Sequence, residues 1–279
     1  MSIPTIDLSD GPAAVAAGVR AACEEVGFFT IVGHGLAERL IDEVARSSRR
    51  FFDRPEDEKE RFRAPATEQG MPVYRPVGAE RLGGSADRKA SLDWGPSLAG
   101  VAWPADDLRQ AYERYYRELL RVADVLVQTF AVGIGLPRDG LAAFFDDRSS
   151  SMRVIDYPAG GDAGERAAAH RDYGCLTIIR SDAGGLEAQT RDGDWLPVEV
   201  PEDGLVVNIG DLMQRWTGDR WISTLHRVVG EGDAPRRQSL VFFHNPRSDA
   251  VIETLGDGTR YEPVAAGAYV LERAAAAGL

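Results

Sequence analysis

The stretch 174-GCLTIIRSDAGGLEAQTRDGDWLPVEV-200 holds three short segments of β character that are separated by turns. The segments are 174–182, 185–190 and 194–200, and the turn 191-RDGD-194 contains the Asp-Gly pair that favours a tight hairpin. Several short strands at this spacing are typical of a β-sandwich or a jelly roll. The stretch therefore predicts that this part of the chain forms a β core.

Helices are predicted ahead of this core. Apolar residues recur at helical spacing in 13–26, 38–52 and 107–135, whereas 64–104 is rich in Pro and Gly and looks irregular. Further β segments are expected at 3–8, 28–32, 152–158, 204–211, 223–229 and 238–246. The chain is therefore predicted to have helices first and then a β core, which would be a sandwich or a jelly roll.

The charge and composition of the chain limit its partners. The 279 residues carry a net charge of −12, with 44% apolar and 27% charged residues. Nucleic-acid-binding surfaces are basic, so we expect no nucleic-acid partner. A preference for a cationic substrate cannot be read from a whole-chain sum, because the field at a site depends on local charges.

Signals for targeting are also lacking in the sequence. The opening MSIPTIDLSDG has neither a basic n-region nor an apolar h-region, and no apolar run approaches the ~20 residues that a membrane span needs. The two cysteines, Cys23 and Cys175, are too few for a disulfide framework. We therefore expect a cytoplasmic protein with no membrane partner.

The segment 170-HRDYGCLTII-179 sets a histidine and an aspartate two residues apart. In a strand, residues i and i+2 project to the same face, so His170 and Asp172 would point together while Arg171 points away. Two such groups provide part of a metal site, and the remaining ligand must come from His34, His226 or His244. His226 is the best candidate, because a jelly roll can fold its strand 223–229 back beside the first. Two imidazoles and one carboxylate form the facial triad of non-haem Fe(II) sites.

A pair of polar residues follows about ten positions after His226. Arg237 and Ser239 in 235-PRRQSL-240 are again i and i+2, so they would share a face of a strand. A guanidinium and a hydroxyl together are well suited to holding a carboxylate through charge-assisted hydrogen bonds. Beside a metal site, this pair would bind an acidic co-substrate.

The order of these motifs resembles the isopenicillin N synthase-like branch of the Fe(II)/2-oxoglutarate-dependent dioxygenases. That family has H-x-D, then about 55 residues, a His, then about ten residues and R-x-S. The resemblance covers nearly the whole chain, and the segments that carry it are 3-IPTIDL-8, 27-GFFTIVGHG-35, 51-FFDRPEDEK-59, 89-KASLDWG-95, 152-MRVIDYP-158, 205-LVVNIGDLMQRWTGDRWISTLHRV-228, 237-RQSLVFFHNP-246 and 261-YEPVAAGAYV-270. It implies a fold class that is mixed α/β with a mainly β core, a double-stranded β-helix (jelly roll) flanked by N-terminal and central helices, in a single catalytic domain over 1–279. That domain would have an N-terminal helical and strand region in 1–100, a jelly-roll core with the metal site in 150–250, and a C-terminal segment in 251–279.

The resemblance also implies a role for each matching residue. His170, Asp172 and His226 would bind iron, Arg237 and Ser239 would hold the distal carboxylate of 2-oxoglutarate, and Tyr157 would also reach this co-substrate. The family often has an asparagine two positions before that tyrosine, and Ile155 replaces it here. His34, in the family's G-H-G pattern, would be structural. His244 and Cys175 are out of phase with the ligands and would lie away from the iron.

The implied enzyme uses Fe(II), 2-oxoglutarate and O2 to oxidise a small molecule, most commonly by hydroxylating an unactivated C–H bond, with release of succinate and CO2. We expect a place in specialised metabolism, such as antibiotic biosynthesis. Desaturation, ring formation and a co-substrate-independent oxidative cyclase of the same family are alternatives. A jelly roll that binds metal or ligand without turnover belongs to another class, and the complete set of motifs argues against it.

Substrate contacts are predicted from strand phase and from the irregular region. Val241 and Phe243 share the phase of Arg237 and Ser239 and would face the cavity. Met71, Tyr74 and Arg75 lie in 69-QGMPVYRPVG-78, which could form a wall over it, since long loops near sites often carry specificity. The substrate itself, the position it is oxidised at and the oligomeric state are not encoded in these patterns.

Overall fold

The computed structural model describes residues 2–63, 73–81, 86–96, 103–161, 163–256 and 260–276. The helices are α1 Pro12–Glu25, α2 Glu38–Phe52, α3 Glu56–Lys59, α4 Asp106–Gly133, α5 Asp211–Trp216 and α6 Ala266–Ala276. The strands are β1 Thr5–Asp7, β2 Phe28–Val32, β3 Val73–Arg75, β4 Ala90–Trp94, β5 Ser151–Tyr157, β6 Gly164–His170, β7 Leu176–Ser181, β8 Leu186–Gln189, β9 Trp195–Pro197, β10 Leu205–Ile209, β11 His226–Gly230, β12 Arg237–His244, β13 Val251–Ile252 and β14 Val264–Ala265.

Two sheets form the jelly-roll core. The larger sheet has the order β1-β2-β10-β7-β12-β5-β4-β3, and the smaller has the order β6-β11-β8-β9. Alternate residues of the larger sheet face opposite sides, as strand geometry requires. Val154 and Leu240 belong to the core on the helix side, whereas Tyr157 and Val241 belong to the core shared with the smaller sheet. The predicted fold class is confirmed.

The helices cover the outer face of the larger sheet. The buried residues of α4 recur at helical spacing, and α4 packs against both α1 and α2. Gly27 turns the chain from α1 into β2 with a φ of +67°. A Cβ at this position would lie 2.0 Å from the carbonyl oxygen of Ile222, so a side chain is excluded by both conformation and space.

The structure corrects two parts of the predicted strand pattern. Strands β3 and β4 lie within the region 64–104, which was expected to be irregular, and they extend the larger sheet beyond β5. Strand β6 was not predicted, because 164-GERAAAH-170 lacks the β-branched and aromatic residues that favour strands. Its pairing with β11 overrides that weak preference.

The hairpin predicted at 191–194 is present between β8 and β9, whose residues Gln189 and Trp195 are paired. Within the described part of the chain, none of the helices is both long enough and apolar enough to cross a membrane.

Candidate metal centre

Three candidate ligand atoms meet between the two sheets. His170 ends β6 and is paired with His226, which begins β11, so strand pairing brings together two residues that are far apart in sequence. The Oδ1 atom of Asp172 lies 4.0 Å from Nε2 of His170 and 3.8 Å from Nε2 of His226. The three atoms all lie within 4.8 Å of one another, which is close enough for a single ion to reach them all.

The geometry of the H-x-D segment differs from simple strand alternation. Strand β6 stops at His170, and Asp172 lies in the turn that leads to β7. The N–H of Asp211 donates to the carbonyl oxygen of Asp172 over 2.7 Å, which anchors this turn on the start of α5. Because the alternation ends at His170, Arg171 does not point away as predicted and instead lines the same cavity.

Backbone carbonyls fix which nitrogen of each imidazole is free. Nδ1 of His170 lies 2.8 Å from the carbonyl oxygen of Ala168, and Nδ1 of His226 lies 3.0 Å from that of Thr224. A carbonyl oxygen can only accept, so each Nδ1 carries the hydrogen. Both Nε2 atoms therefore present a lone pair toward Asp172. This arrangement is common among metal-binding histidines.

The carboxylate of Asp172 is oriented by two neighbours. Its Oδ2 atom accepts hydrogen bonds from the hydroxyl of Thr177 and, over 2.7 Å, from the side-chain amide of Asn208. These contacts leave Oδ1 for the side that the two histidines face. Among the described residues, this is the one group of three or more His, Cys, Asp or Glu side chains arranged so closely.

The protonation states suit cation binding. Burial lowers the pKa of His170 to about 3, and repulsion from His226 acts in the same direction. Burial alone would raise the pKa of Asp172, but the two histidines, Asn208 and Thr177 outweigh it, so that pKa is lowered. A neutral imidazole and an ionised carboxylate are the forms that bind metals.

A buried guanidinium lies in the same cavity. Arg237 is 2% exposed, and its nitrogens donate to the hydroxyls of Ser239 and Ser181 and to the carbonyl oxygens of Ala183 and Gly184. Among the described residues, it makes no ion pair. A buried cation without an anionic partner is costly, so this site is chemically suited to a carboxylate ligand.

Tyr157 lies beside this guanidinium. The guanidinium carbon of Arg237 is 5.0 Å from the centre of the Tyr157 ring, and that of Arg166 is 5.4 Å away. Tyr157 is paired with Arg237 across β5 and β12, and Ile155 is paired with Ser239. Ile155 lines the cavity with an apolar side chain, so this position offers no polar contact.

The cavity has a volume of about 400 Å3 and is lined by all three residues of the His-Asp-His group, by Arg237 and Ser239, and by Tyr157. Of the predicted substrate contacts, Arg75, Val241 and Phe243 line it. Tyr74 does not. Its neighbour Arg75 faces the cavity, so strand alternation turns Tyr74 to the opposite side. There it packs on Phe51 and donates to Glu56. Met71 lies outside the described residues.

The remaining histidines and Cys175 lie elsewhere. Nε2 of His34 is 2.8 Å from the carbonyl oxygen of Asp203, on the surface. His244 is buried, stacks on Phe145 and makes a hydrogen bond with Ser150, and burial lowers its pKa to about 4. Cys175 is buried in the helix-side core, and burial raises the pKa of its thiol.

Several residues that support the site were missed by sequence reasoning. Asn208 is the one polar side chain in the buried strand 205-LVVNI-209, and a lone polar residue in such a strand needs a partner, so a signal was present. Ser181 is paired with Ser239 across β7 and β12, which only the strand register reveals. Arg153 and Asp93 line the cavity as an ion pair joined by two hydrogen bonds of 2.7 Å.

Two family models match the chain. Residues 3–117 match the N-terminal region described as "non-haem dioxygenase in morphine synthesis", and residues 148–246 match the 2OG-Fe(II) oxygenase superfamily. The 2-oxoglutarate-dependent dioxygenase caaD of Aspergillus niger is 30% identical in an alignment of 280 residues, gaps included, and the alignment covers 88% of this chain and 84% of that protein.

Solved structures agree with these matches. A full-length Neurospora crassa protein, in complex with alpha-KG and thymine, has a TM-score of 0.87 at 25% identity and covers 98% of this chain and 96% of that one. JOX2 in complex with 2OG, Fe and JA has a TM-score of 0.81 at 27% identity and covers 98% and 85% of the two chains.

Proposed function

The chain belongs to the 2OG-Fe(II) oxygenase superfamily and is a 2-oxoglutarate-dependent oxygenase, and on that premise we propose that it hydroxylates an unactivated C–H bond of a small molecule in specialised metabolism. Antibiotic biosynthesis is one such setting. The family uses Fe(II), 2-oxoglutarate and O2. Within the proposal, His170, Asp172 and His226 are the iron ligands.

One observation carries the residue assignments. Three ligand atoms and a buried guanidinium without an acidic partner among the described residues line the same cavity. Two neutral imidazoles and one carboxylate suit a ferrous ion, and the guanidinium suits a dicarboxylate co-substrate. A metal ion would bind the lone pairs of the two Nε2 atoms, and a carboxylate would give Arg237 the anionic partner that it lacks among the described residues.

Each residue has a defined task in this proposal. Thr177 and Asn208 hold the Asp172 carboxylate so that Oδ1 faces the metal position. Arg237 and Ser239 bind the distal carboxylate of 2-oxoglutarate, and the ring of Tyr157 limits the movement of that guanidinium. When bound, the ferrous ion and 2-oxoglutarate together supply the oxidising power from O2, with release of succinate and CO2.

The cavity favours a small substrate. Its volume of about 400 Å3 is at the lower end of the range for ligand sites, and apolar residues such as Val241, Phe243 and Ile155 form much of its wall. Two proteins of similar structure have been solved in complex with thymine and with JA, which supports a small organic molecule here as well.

The direct test of this function measures the binding of 2-oxoglutarate and its conversion to succinate. Fe(II) and 2-oxoglutarate, added without O2, should give a weak visible charge-transfer band, and air should then yield succinate. A screen of metabolites for substrate-stimulated succinate release identifies the reaction. An enzyme that consumes O2 without forming succinate or the band would instead be an oxidative cyclase of the same family.

The Arg237→Ala variant tests the carboxylate site separately. We expect the KM for 2-oxoglutarate to rise by more than about tenfold, because truncating one partner of a buried charge pair costs roughly 2–5 kcal/mol. Arg227→Ala removes an arginine of β11 that is paired with Glu187 and should leave this KM unchanged. An Arg237→Ala enzyme with the wild-type KM would show that the co-substrate binds elsewhere.

A further inference from the structure

The cavity is cationic although the whole chain is acidic. Its lining includes five basic side chains, Arg75, Lys89, Arg153, Arg171 and Arg237, and two carboxylates, Asp93 and Asp172. The chain as a whole carries a net charge of −12. This local excess therefore reflects the site and not the composition, and it sets the charge that a ligand meets.

Three of the basic residues are balanced by protein carboxylates. Arg153 is bound to Asp93 and, over 2.9 Å, to Glu80, and Lys89 lies 3.1 Å from Glu80 and 2.8 Å from Asp87. Arg75 lies 3.4 Å from Glu80 and 3.5 Å from Asp93. The three cations and three carboxylates of this network, Arg75, Lys89 and Arg153 with Glu80, Asp87 and Asp93, have no net charge.

The charges outside this network do not cancel by themselves. Among the described lining residues, Arg171 and Arg237 remain against one carboxylate, that of Asp172. A ferrous ion adds two positive charges, and 2-oxoglutarate adds two negative ones. These described residues together with the two ligands therefore keep one positive charge. The co-substrate occupies Arg237, so the cation of this set that has no counter-charge is Arg171.

Arg171 is placed to contact a ligand at the mouth of the cavity. It lines the cavity and is exposed to solvent, and its Nε donates to the carbonyl oxygen of Ser223 over 2.8 Å. This bond fixes the guanidinium by one nitrogen and leaves the two terminal nitrogens, which suit a bidentate carboxylate. In the described part of the chain, Arg171 makes no ion pair.

Apolar side chains of one helix also line the cavity. Helix α6 contributes Val270, Leu271 and Ala274 to the lining, and Leu271 is 72% exposed. A cation and an apolar helix surface that line the same cavity suit an amphipathic ligand. Given the function proposed above, on which this inference rests, we propose that the substrate is a small organic acid. Its carboxylate is bound by Arg171 and its apolar body enters the cavity.

The experiment compares acids with their neutral isosteres. Apolar monocarboxylates from butanoate to decanoate, phenylacetate and 3-phenylpropanoate, each paired with its primary amide, are titrated calorimetrically into the protein loaded with Fe(II) and 2-oxoglutarate without O2. We expect at least one acid to bind about tenfold or more tightly than its amide, because a charge-assisted pair is lost in the amide.

Variants of Arg171 test whether this residue causes the preference for acids. Arg171→Gln should remove the preference for the acid, whereas Arg171→Lys, which keeps the charge, should retain part of it. The matched control is Arg220→Gln, because Arg220 is also exposed and also donates through Nε to a backbone carbonyl, that of Thr217. Arg220 does not line the cavity, so its variant should keep the full preference.

Two results would overturn the inference. One is that no acid binds more tightly than its amide, and the other is that Arg171→Gln keeps the preference. The visible band of the Fe(II) and 2-oxoglutarate complex is recorded for every sample. If the wild-type protein gives the band but does not prefer acids, only the proposed substrate class is rejected. If the wild-type protein does not give the band, the proposed function is rejected.

Discussion

At the residue scale, the two carboxylate oxygens of Asp172 have different environments. Oδ2 accepts from Thr177 and Asn208, and Oδ1 faces the Nε2 atoms of His170 and His226. The protein therefore orients the carboxylate before any ion arrives. Orientation of this kind lowers the cost of binding, because the ligand atoms need little rearrangement.

Replacing the carboxylate tests the proposed ligand set. We expect Asp172→Ala to weaken Fe(II) binding by more than about 100-fold, since changes to outer-shell partners alone typically cost 10–100-fold. Succinate formation should disappear with it. Binding is measured by anaerobic titration, and Asp249→Ala, at an exposed position, is the control. Tight Fe(II) binding by the Asp172→Ala variant would contradict the assignment.

Asn208 is expected to act through Asp172. The Asn208→Leu variant keeps the size of the side chain and removes the donor to Oδ2, so we expect about 10–100-fold weaker Fe(II) binding with the fold retained. Thr129→Val, which removes a buried hydroxyl of α4 outside the site, should not alter the affinity for Fe(II). If both variants bind Fe(II) like the wild type, Asn208 has no positioning role.

At the element scale, a buried ion network joins the edge strands to the core. Asp93 of β4 is paired with Arg153 of β5, and Glu80, in the segment after β3, contacts Arg153, Lys89 and Arg75. Glu80 is 5% exposed. Because these charges are desolvated, loss of one partner leaves the others uncompensated.

We therefore expect Glu80→Gln to lower the free energy of unfolding by about 3–5 kcal/mol, the usual cost of breaking a buried pair. Urea denaturation at neutral pH measures this difference. Glu118→Gln removes the partner of the exposed Arg121 on α4 and should change stability by less than about 1 kcal/mol. Equal effects of the two variants would mean that the buried network does not stabilise the fold.

The same network gives a pH dependence. Burial would raise the pKa of Glu80, but Arg153, Lys89 and Arg75 outweigh it and lower that pKa from 4.5 to about 2. A depressed pKa in the folded state stabilises above the unfolded value, and the contribution is lost as pH falls. The stability difference between wild type and Glu80→Gln should therefore shrink between pH 4.5 and about 2. A difference that grows with acid would contradict this assignment.

At the scale of the whole molecule, the N-terminal region and the core share one sheet. Strands β1 and β2 extend the larger sheet beside β10, β3 and β4 extend it at the other edge, and α4 packs against the same sheet. The two matched regions, 3–117 and 148–246, are therefore interleaved in space. This arrangement supports the prediction that the chain is a single domain.

Unfolding should accordingly occur in one transition. We expect tryptophan fluorescence and far-ultraviolet circular dichroism to give the same urea midpoint, because no part of the larger sheet can separate without exposing buried strands. A fragment that lacks residues 1–63 should not fold, since it leaves the apolar face of α4 uncovered. Two resolved transitions would indicate separate units.

Local sequence patterns were sufficient to predict the long helices and to single out the candidate site residues. The helices 38–52 and 107–135 were predicted to within two residues, since apolar spacing specifies which face of a helix is buried. His170, Asp172, His226, Arg237 and Ser239 were singled out because their spacing is that of a known constellation. Such spacing can be recognised in a sequence because residues two apart in a strand share a face.

Only the tertiary structure decided the contacts that join distant segments. The strand character of β6, the direction of Arg171, the placement of Tyr74 outside the cavity and the network around Glu80 all depend on which strands pair and where each one ends. Strand pairing is set by packing between elements far apart in sequence, which weak local preferences do not encode. The net charge of −12 likewise gave no sign of a cationic cavity, because a sum over the chain contains no positions.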